Sequence, residues 1–155
     1  MPDLNFHPIE NSGPTAKVVV PLLSEWYQPS SVLDLGTNVG WWLKFFIDCG
    51  VKDVLGVDGS NMVEHLQIPR ENFREIDLRA DWSLGRRFDL VLCLEVAEHI
   101  LPESADGLVG RISGHTDRVF WCAAVPNQGG WEHLNEQPAE YWTAKFEARG
   151  FARKE

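Results

Sequence analysis

Apolar runs along the chain alternate with segments whose apolar residues recur at helical spacing. Short apolar runs bounded by glycine, proline or polar residues are typical of strands, and runs that are apolar on both faces are typical of parallel sheets. Strands are predicted at 31–35 (SVLDL), 53–58 (DVLGVD), 73–77 (FREID), 88–96 (FDLVLCLEV) and 118–125 (RVFWCAAV). Helices are predicted at 14–27, 41–49, 61–68, 102–113 and 137–150. This alternation predicts an α/β fold, with a mostly parallel sheet and helices on both faces.

Glycine and proline positions and the chain length predict the helix boundaries and the division of the chain into an arm and one domain. Gly50 stands where a left-handed C-terminal cap is expected, whereas Pro21 is expected to kink or split the helix 14–27. Residues 1–13 are polar and contain prolines, so they predict an irregular arm. A chain of 155 residues has the size of one domain, and a single domain is predicted over 14–155.

Composition narrows the classes of partner. The formal net charge is −9 and the basic residues are scattered, so a nucleic acid is not expected as the main partner. No apolar run approaches the roughly 18 residues that span a bilayer, and the first residues lack a signal-peptide pattern. Cys49, Cys93 and Cys122 lie in apolar segments, which predicts buried thiols in a reducing compartment. We therefore expect a soluble, cytoplasmic protein.

The segment VLDLGTNVGWW, residues 32–42, joins the first predicted strand to a helix. Gly36 and Gly40 allow a close approach to a ligand and backbone angles closed to most residues, and Asn38 also tolerates the left-handed region. The spacing differs from the dinucleotide fingerprint GxGxxG, and Asp34 favours a ligand with a positive group over a pyrophosphate. Ligands of open α/β sheets bind at the carboxyl ends of strands, so this turn is a candidate site. A purely structural turn stays an alternative.

Acidic and polar residues also follow the next three predicted strands. Asp58 ends the second strand, where a carboxylate can accept hydrogen bonds from both hydroxyls of a ribose. Asp77 and Leu78 follow the third, a polar and apolar pair suited to the edge and face of an adenine ring. The residues beyond the fourth strand are Glu95, Glu98 and His99. A solvated carboxylate is the alternative for each strand end alone, but four successive strands deliver such groups to one edge.

These motifs resemble those of the class I S-adenosylmethionine-dependent methyltransferases. LDLGTNVG is similar to their glycine-rich first motif, and VDGS is similar to the acidic end of their second strand. IDL resembles the position that contacts adenine, and FDLVLCLEVAEHI resembles the fourth-strand motif that often carries Glu and His beyond it. The segment AAVPNQGGWEHLNEQPAEYW is similar to one in a subset with small or sugar-like substrates.

The resemblance implies a three-layer Rossmann-like sandwich with S-adenosyl-L-methionine as cofactor. The cofactor's amino group is expected near Asp34 and Gly36, its ribose on Asp58, and its adenine near Asp77 and Leu78. The implied cofactor-binding residues are Asp34, Gly36, Thr37, Asn38, Gly40, Trp41, Asp58, Gly59, Asp77, Leu78 and Leu94. The implied activity is methyl transfer to a small polar acceptor, with sugar-like molecules among the candidates.

Two departures from the family pattern bear on these expectations. Asn38 stands where the family has its middle glycine, which its tolerance of left-handed angles accommodates. Family members continue for two further strands, whereas this sequence stops at Glu155, so the last two family strands are expected to be missing. The strand 118–125 would then lie at the edge of the sheet without protective charges, which predicts a homodimer or pairing with a partner chain.

Methyl transfer needs orientation and, where the acceptor loses a proton, a base. His133 and His99, the latter together with Glu95, are the predicted catalytic residues, because an unperturbed histidine titrates near neutral pH. A surface histidine without a role is the alternative for His99. The loop 126–137 is rich in donors and acceptors, and its predicted substrate-binding residues are Asn127, Gln128, Trp131, Asn135 and Glu136. No metal site is predicted.

Two other functions stay open at this point. A protein that binds S-adenosylmethionine without transferring its methyl group, as a sink, a regulator or a partner subunit, would share the cofactor motifs. A nicotinamide-dependent oxidoreductase is a weaker alternative, because the sequence lacks the GxGxxG fingerprint.

Overall fold

The computed structural model of the protein describes residues 12–59 and 63–154. The chain divides after Asp77 into two compact units, which are described in turn. The irregular arm predicted over 1–13 lies outside the described residues as far as residue 11, and Gly13 already belongs to the first helix. The single domain predicted over 14–155 stays a prediction.

The first unit holds two helices and three strands in the predicted order. They are α1 (Gly13–Tyr27), β1 (Ser31–Leu35), α2 (Trp41–Asp48), β2 (Asp53–Asp58) and β3 (Phe73–Glu75). β2 pairs in parallel with both β1 and β3, and Leu33 lies opposite Leu55 while Asp58 lies opposite Glu75. The carboxyl ends of these strands, which carry the predicted cofactor residues, therefore lie at one edge of the sheet.

The apolar spacing of the two helices explains the core of the first unit. Ala16, Val20 and Leu23 recur at helical spacing on α1 and are at most 1% exposed, and Phe46 of α2 is fully buried. α1 packs against α2. α1 also continues through Pro21 as one helix, so the predicted split does not occur.

The second unit holds two strands and two helices. They are β4 (Leu90–Leu94), α3 (Ala105–His115), β5 (Val119–Cys122) and α4 (Ala139–Glu147). β4 pairs with β5 in parallel and is buried from Leu90 to Cys93, as a run apolar on both faces predicts. α3 packs on α4. Trp121 of β5 contacts Trp142 and Phe146 of α4, with ring centroids 5.1 and 5.0 Å apart, so aromatic packing joins this strand to the last helix.

The five strands are parallel and, with their helices, form the α/β Rossmann-like fold that the sequence predicts. β3, β4 and β5 are each shorter than predicted. The helix predicted at 61–68 is wrong over its described part, because only Val63–His65 form a 3-10 turn and residues 66–68 are not helical. Residues 60–62 lie outside the described residues. Within the described part of the chain, β5 is an edge strand that pairs with β4. Pairing of this edge with a second chain stays a prediction.

The cysteines are less buried than their apolar surroundings predict. Cys93 is buried in β4, but Cys49 and Cys122 are exposed, so the prediction is wrong at these two positions. Cys49 follows the last residue of α2 and Cys122 ends β5, where side chains leave the core. No helix within residues 12–59 and 63–154 is both long and apolar enough to cross a membrane. A cytoplasmic location stays a prediction.

Candidate functional site

The turn after β1 has the backbone conformation that its glycines predict. Gly36, Asn38 and Gly40 have φ angles of 72°, 51° and 89°, so all three lie in the left-handed region that most residues avoid. The N–H groups of Gly36 and Thr37 donate to the carbonyl oxygen of Val57, at 2.8 and 3.1 Å. These bonds hold the turn against the end of β2.

The side chain of Asp58 fixes the same turn from the other side. The backbone N–H of Asn38 donates to Oδ2 of Asp58 at 2.7 Å, and Asp58 is 6% exposed. A carboxylate that accepts a backbone N–H at this distance makes a charge-assisted hydrogen bond. The predicted ribose ligand is therefore also the residue that connects β2 to the glycine turn.

Asp34 lies on β1 below the turn and is 2% exposed. Its Oδ2 accepts a hydrogen bond of 2.8 Å from the hydroxyl of Thr37. Burial raises the pKa of Asp34 to about 7, and the nearby charge of Asp58 adds to this rise, while the bond from Thr37 opposes it. A cationic group beside Asp34 would favour its ionised form, in agreement with the ligand type that the sequence predicts.

Two glycines of the first unit are required by side-chain packing. A Cβ atom on Gly40 would lie 2.9 Å from Cγ1 of Ile68, and a Cβ atom on Gly56 of β2 would lie 2.7 Å from Cγ2 of Thr37. Real Cβ atoms do not approach other atoms so closely. The space beside Gly40 that the sequence assigns to a ligand is thus filled by Ile68 in the Cβ direction. The requirement at Gly56 was missed, because its partner is 19 positions away in the chain.

The other predicted cofactor residues of the first unit lie beside the ends of its strands. Gly59 follows β2, and a Cβ atom there would be 3.6 Å from Cα of Asp77, so the two backbones are close. Asp77 is exposed and follows β3 by two residues, although the sequence predicts that it ends that strand. Trp41 begins α2, where its ring stacks with that of Phe45 at a centroid distance of 6.1 Å.

In the second unit, Leu78 is 7% exposed, and Leu94 is half-buried at the end of β4. Glu95 follows Leu94 with a φ angle of 55°. Two hydrogen bonds connect Glu95 to Cys122, the last residue of β5. The N–H of Glu95 donates to the carbonyl oxygen of Cys122 at 3.0 Å, and the Cys122 thiol donates to Oε1 of Glu95 at 2.8 Å. Although the residue as a whole is exposed, its thiol is partly buried, and this partial burial, followed by the bond to a carboxylate, raises the pKa of Cys122 to about 12. The thiol is therefore unsuited to act as a nucleophile.

Glu98 carries a fully buried carboxylate. Its residue is 0% exposed, and neither Oε1 nor Oε2 has a hydrogen-bond partner among the described residues. Burial raises the pKa of Glu98 to about 7 and the charge of Glu95 adds to the rise, while the nearby backbone N–H groups of Glu98 itself and Ala124 oppose it. Its main-chain oxygen accepts hydrogen bonds from the N–H groups of Leu134 and Asn135, at 2.7 and 3.0 Å. These bonds attach the loop 126–137 to Glu98.

The two predicted catalytic histidines lie together beside this carboxylate. The rings of His99 and His133 are 5.2 Å apart between centroids. Nδ1 of His99 is 3.1 Å from the carbonyl oxygen of Glu132, and Nδ1 of His133 is 2.9 Å from Oε1 of Glu136. One side-chain ligand atom from each of Glu98, His99 and His133 lies within 4.8 Å of the other two. His99 and His133 are 34 positions apart in the chain, and the sequence alone does not indicate that Glu98 lies at the centre of this cluster.

The loop 126–137 is organised by Glu136. Its carboxylate accepts hydrogen bonds from the N–H groups of Asn127 and Gly129, at 2.9 and 2.7 Å, besides its contact with His133. Contact with His133 is the main cause that lowers the pKa of Glu136. Asn135 is 2% exposed, and its Oδ1 accepts a hydrogen bond from Gln137 at 3.0 Å. Glu136 and Asn135, predicted to bind substrate, therefore have clear roles in holding the loop.

The remaining predicted substrate residues are more accessible. Trp131 is 44% exposed, and Asn127 and Gln128 are exposed as well. Oε1 of Gln128 accepts a hydrogen bond from the N–H of Val125 at 3.1 Å. All three residues are therefore exposed on the surface of the loop 126–137.

Comparisons with known proteins agree with this fold. A family model described as a methyltransferase domain matches residues 15–116. The chain is similar to magnesium protoporphyrin IX methyltransferase from Synechocystis with bound SAM, at 23% identity and a TM-score of 0.68, covering 92% of this chain and 70% of that one. It is also similar to an O-methyltransferase family protein from Burkholderia thailandensis, at 13% identity and a TM-score of 0.66, covering 93% and 52%. The plantazolicin methyltransferase, solved with a desmethyl analogue and SAH, gives 17% identity and a TM-score of 0.58, covering 87% and 60%.

No curated protein matches the chain significantly. The chain spans about half the length, 51% to 54%, of three of the solved structures that it resembles. At these identities the structures establish the fold, whereas the family model covers more than half of the chain and includes the glycine turn and the ends of β2 and β4. The chain therefore belongs to the methyltransferase domain family.

Proposed function

We propose that the protein binds S-adenosylmethionine and transfers its methyl group to a small polar acceptor. The observation that carries the proposal is the bond from the Asn38 N–H to the Asp58 carboxylate, which joins the glycine turn to the acidic end of β2. Both features lie within the segment that matches the methyltransferase domain. Similar structures were solved with S-adenosylmethionine (SAM) or S-adenosylhomocysteine (SAH) bound, and they support the same cofactor.

The residues of the first unit fit the chemical groups of this cofactor. Asp58 offers a carboxylate to the ribose hydroxyls, and Asp34 offers one to the ammonium group. Gly59, which follows β2, lies close to Asp77, which follows β3, so the end of a third strand is near the same position of the first unit. The other residues of the proposed set are Gly36, Thr37, Asn38, Gly40, Trp41, Leu78 and Leu94. When bound, S-adenosylmethionine supplies a methyl group on a sulfonium, which is open to attack by a nucleophile.

The acceptor is proposed to interact with the loop 126–137 through Asn127, Gln128 and Trp131. Amide groups and an indole suit a molecule that carries hydroxyls or amides beside an apolar surface. The relatives that methylate magnesium protoporphyrin IX and plantazolicin support a small molecule as acceptor. The net charge of −9 supports it over a nucleic acid. His133 and His99, with Glu95, stay the proposed groups that remove a proton from the acceptor.

The test has two stages. Calorimetry with S-adenosylmethionine and SAH measures cofactor binding, and incubation of the protein with methyl-tritiated cofactor and a metabolite extract measures transfer. We expect saturable binding at one site and a labelled small molecule, and the Asp58→Ala variant should bind the cofactor more weakly and label less product. Absence of cofactor binding in the unaltered protein would refute the proposal.

A protein that binds S-adenosylmethionine without transferring its methyl group is the remaining alternative. Binding of the cofactor together with no labelled product, in extracts that supply small molecules of several classes, would favour that alternative. The cluster of Glu98, His99 and His133 favours the enzyme, because a simple binder has no need of a buried carboxylate and two imidazoles in one place.

A further inference from the structure

We propose that Glu98, His99 and His133 bind a divalent transition-metal cation. Glu98 is fully buried, and both of its carboxylate oxygens lack a hydrogen-bond partner among the described residues. A buried carboxylate is costly unless it is paired or binds a metal. Two imidazoles lie beside it, with one ligand atom from each residue within 4.8 Å of the others. This combination supplies a negative charge and two neutral nitrogen ligands for one cation.

The hydrogen bonds of the two histidines orient their other nitrogens for coordination. Nδ1 of His99 faces the carbonyl oxygen of Glu132, which can only accept, so this nitrogen carries the proton. Nδ1 of His133 faces the carboxylate of Glu136 and donates in the same way. In each ring Nε2 is then left with its lone pair, which is the form that binds a metal. Metal-binding histidines almost always donate their other N–H to a carboxylate or a carbonyl oxygen in this manner.

The loop that carries His133 is shaped to hold this arrangement. Asn127 and Glu132 have positive φ angles, of 68° and 52°, and such conformations in residues other than glycine persist only where the surroundings impose them. The ring of His133 packs directly on Gly130, since a Cβ atom there would collide with Nε2 and Cε1 of the ring. The loop thus places one ligand and the carbonyl oxygen that orients another.

The ligand set selects the kind of cation. Imidazole suits zinc, cobalt and similar transition metals, whereas magnesium prefers oxygen ligands alone. A tetrahedral zinc ion has ligand atoms about 3.4 Å apart, given bond lengths of roughly 2.0–2.2 Å, so the three side chains would draw together on binding. Three protein ligands leave coordination open for an oxygen of the acceptor, whose proton the cation would make more acidic. With the cation bound, this acidification would take the place of direct proton removal by His99 and His133, because both Nε2 lone pairs are then used as ligands. This role rests on the proposed function, but cation binding does not.

The test measures cation binding by the whole protein after removal of metal with a chelator. Zn²⁺ and Co²⁺ are titrated by calorimetry, and Co²⁺ is also followed by its visible absorption. We expect one equivalent of cation per chain in the unaltered protein, and affinity at least tenfold lower in Glu98→Gln and in His133→Ala. His65→Ala, which alters an exposed histidine of the first unit, is the matched control and should bind as the unaltered protein does.

A second pair of variants tests the geometry without removing a ligand. Gly130→Ala should displace the His133 ring and weaken Co²⁺ binding about tenfold. Gly114→Ala in α3, where a Cβ atom meets nothing within 4 Å in the described structure, should keep the affinity within about threefold. Circular dichroism establishes that each variant is folded. Equal affinity in the unaltered protein and Glu98→Gln, or preference for Mg²⁺ over Zn²⁺ and Co²⁺, would overturn the proposal. The assay contains neither cofactor nor acceptor, so its failure and a failure of methyl transfer are separate results.

Discussion

The backbone N–H of Asn38 and the carboxylate of Asp58 are joined by a hydrogen bond of 2.7 Å across 20 positions of the chain. This bond connects the loop that follows β1 to the last residue of β2. Asp58 therefore has two roles in the proposed function, because it stabilises the glycine turn and offers its carboxylate to the ribose. Replacing Asp58 tests both roles, provided that the loss of stability and the loss of cofactor affinity are measured separately.

We predict that Asp58→Ala raises the dissociation constant for SAH roughly 30- to 150-fold, since two charge-assisted hydrogen bonds are worth about 2–3 kcal/mol after compensation by water. Asp58→Asn keeps an oxygen that can accept the Asn38 N–H, so it should unfold at nearly the same denaturant concentration as the unaltered protein while still binding SAH more weakly. Calorimetry and urea unfolding measure the two effects. Unchanged affinity in Asp58→Ala would remove the ribose assignment.

A second prediction compares two reasons why a position needs glycine, the lack of space for a Cβ atom and the left-handed backbone conformation. Gly40 and Gly50 both have strongly positive φ angles, 89° and 96°, but only Gly40 has a neighbour, Ile68, where a Cβ atom would lie. Gly50→Ala should cost about 1–2 kcal/mol of unfolding free energy from the left-handed conformation alone. Gly40→Ala should cost about 1–3 kcal/mol more because of the collision.

Urea unfolding of both variants measures this difference, and Ile68→Ala in the Gly40→Ala background should recover most of the extra loss. Equal costs at the two glycines would show that the contact with Ile68 relaxes freely. In that case the space beside Gly40 would be available to a ligand, as the sequence alone suggests.

The third prediction concerns pH. The pKa of Asp34 is raised to about 7 in the folded protein from an ordinary value of 3.8, so the folded state holds a proton that the unfolded chain releases between these values. The stability contributed by this group is complete below about pH 4 and is lost as the pH rises through about 7. The loss of unfolding free energy is on the order of 4 kcal/mol.

Asp34→Asn cannot ionise and should lack this dependence, while Asn still accepts the hydrogen bond from Thr37. The difference in unfolding free energy between Asp34→Asn and the unaltered protein should therefore grow in favour of the variant between pH 4.5 and 7.5. Asp81→Asn, which changes an exposed carboxylate, serves as the control and should show no such trend. A constant difference across this range would contradict the raised pKa.

The fourth prediction concerns the edge strand β5. Its residues Val119 to Cys122 are apolar and carry no charge, proline or bulge that would protect the edge. We expect a dimer or a complex with a second chain through β5 or the neighbouring α4, and light scattering at micromolar concentration should report it. A monomer whose β5 amides exchange slowly with solvent would contradict this expectation.

Much of the fold follows from local sequence. SVLDL and DVLGVD become β1 and β2 with the predicted bounds, because runs apolar on both faces have few other ways to be buried. The helix 14–27 forms despite Pro21, since burial of the apolar face that contains Val20 and Leu23 outweighs one missing backbone hydrogen bond. Asn38 takes the left-handed conformation that its chemistry allows.

The sequence by itself determined the elements, the glycine turn and the acidic ends of the strands, because these depend on residues that are close in the chain. Only the tertiary structure decided which polar atoms have partners. It packs Ile68 on Gly40, buries Glu98 without a hydrogen-bond partner among the described residues, and brings His133 beside His99. Hydrophobic patterns predict which side of a helix or strand is buried. They do not predict which side chain from a distant segment will pack against that side.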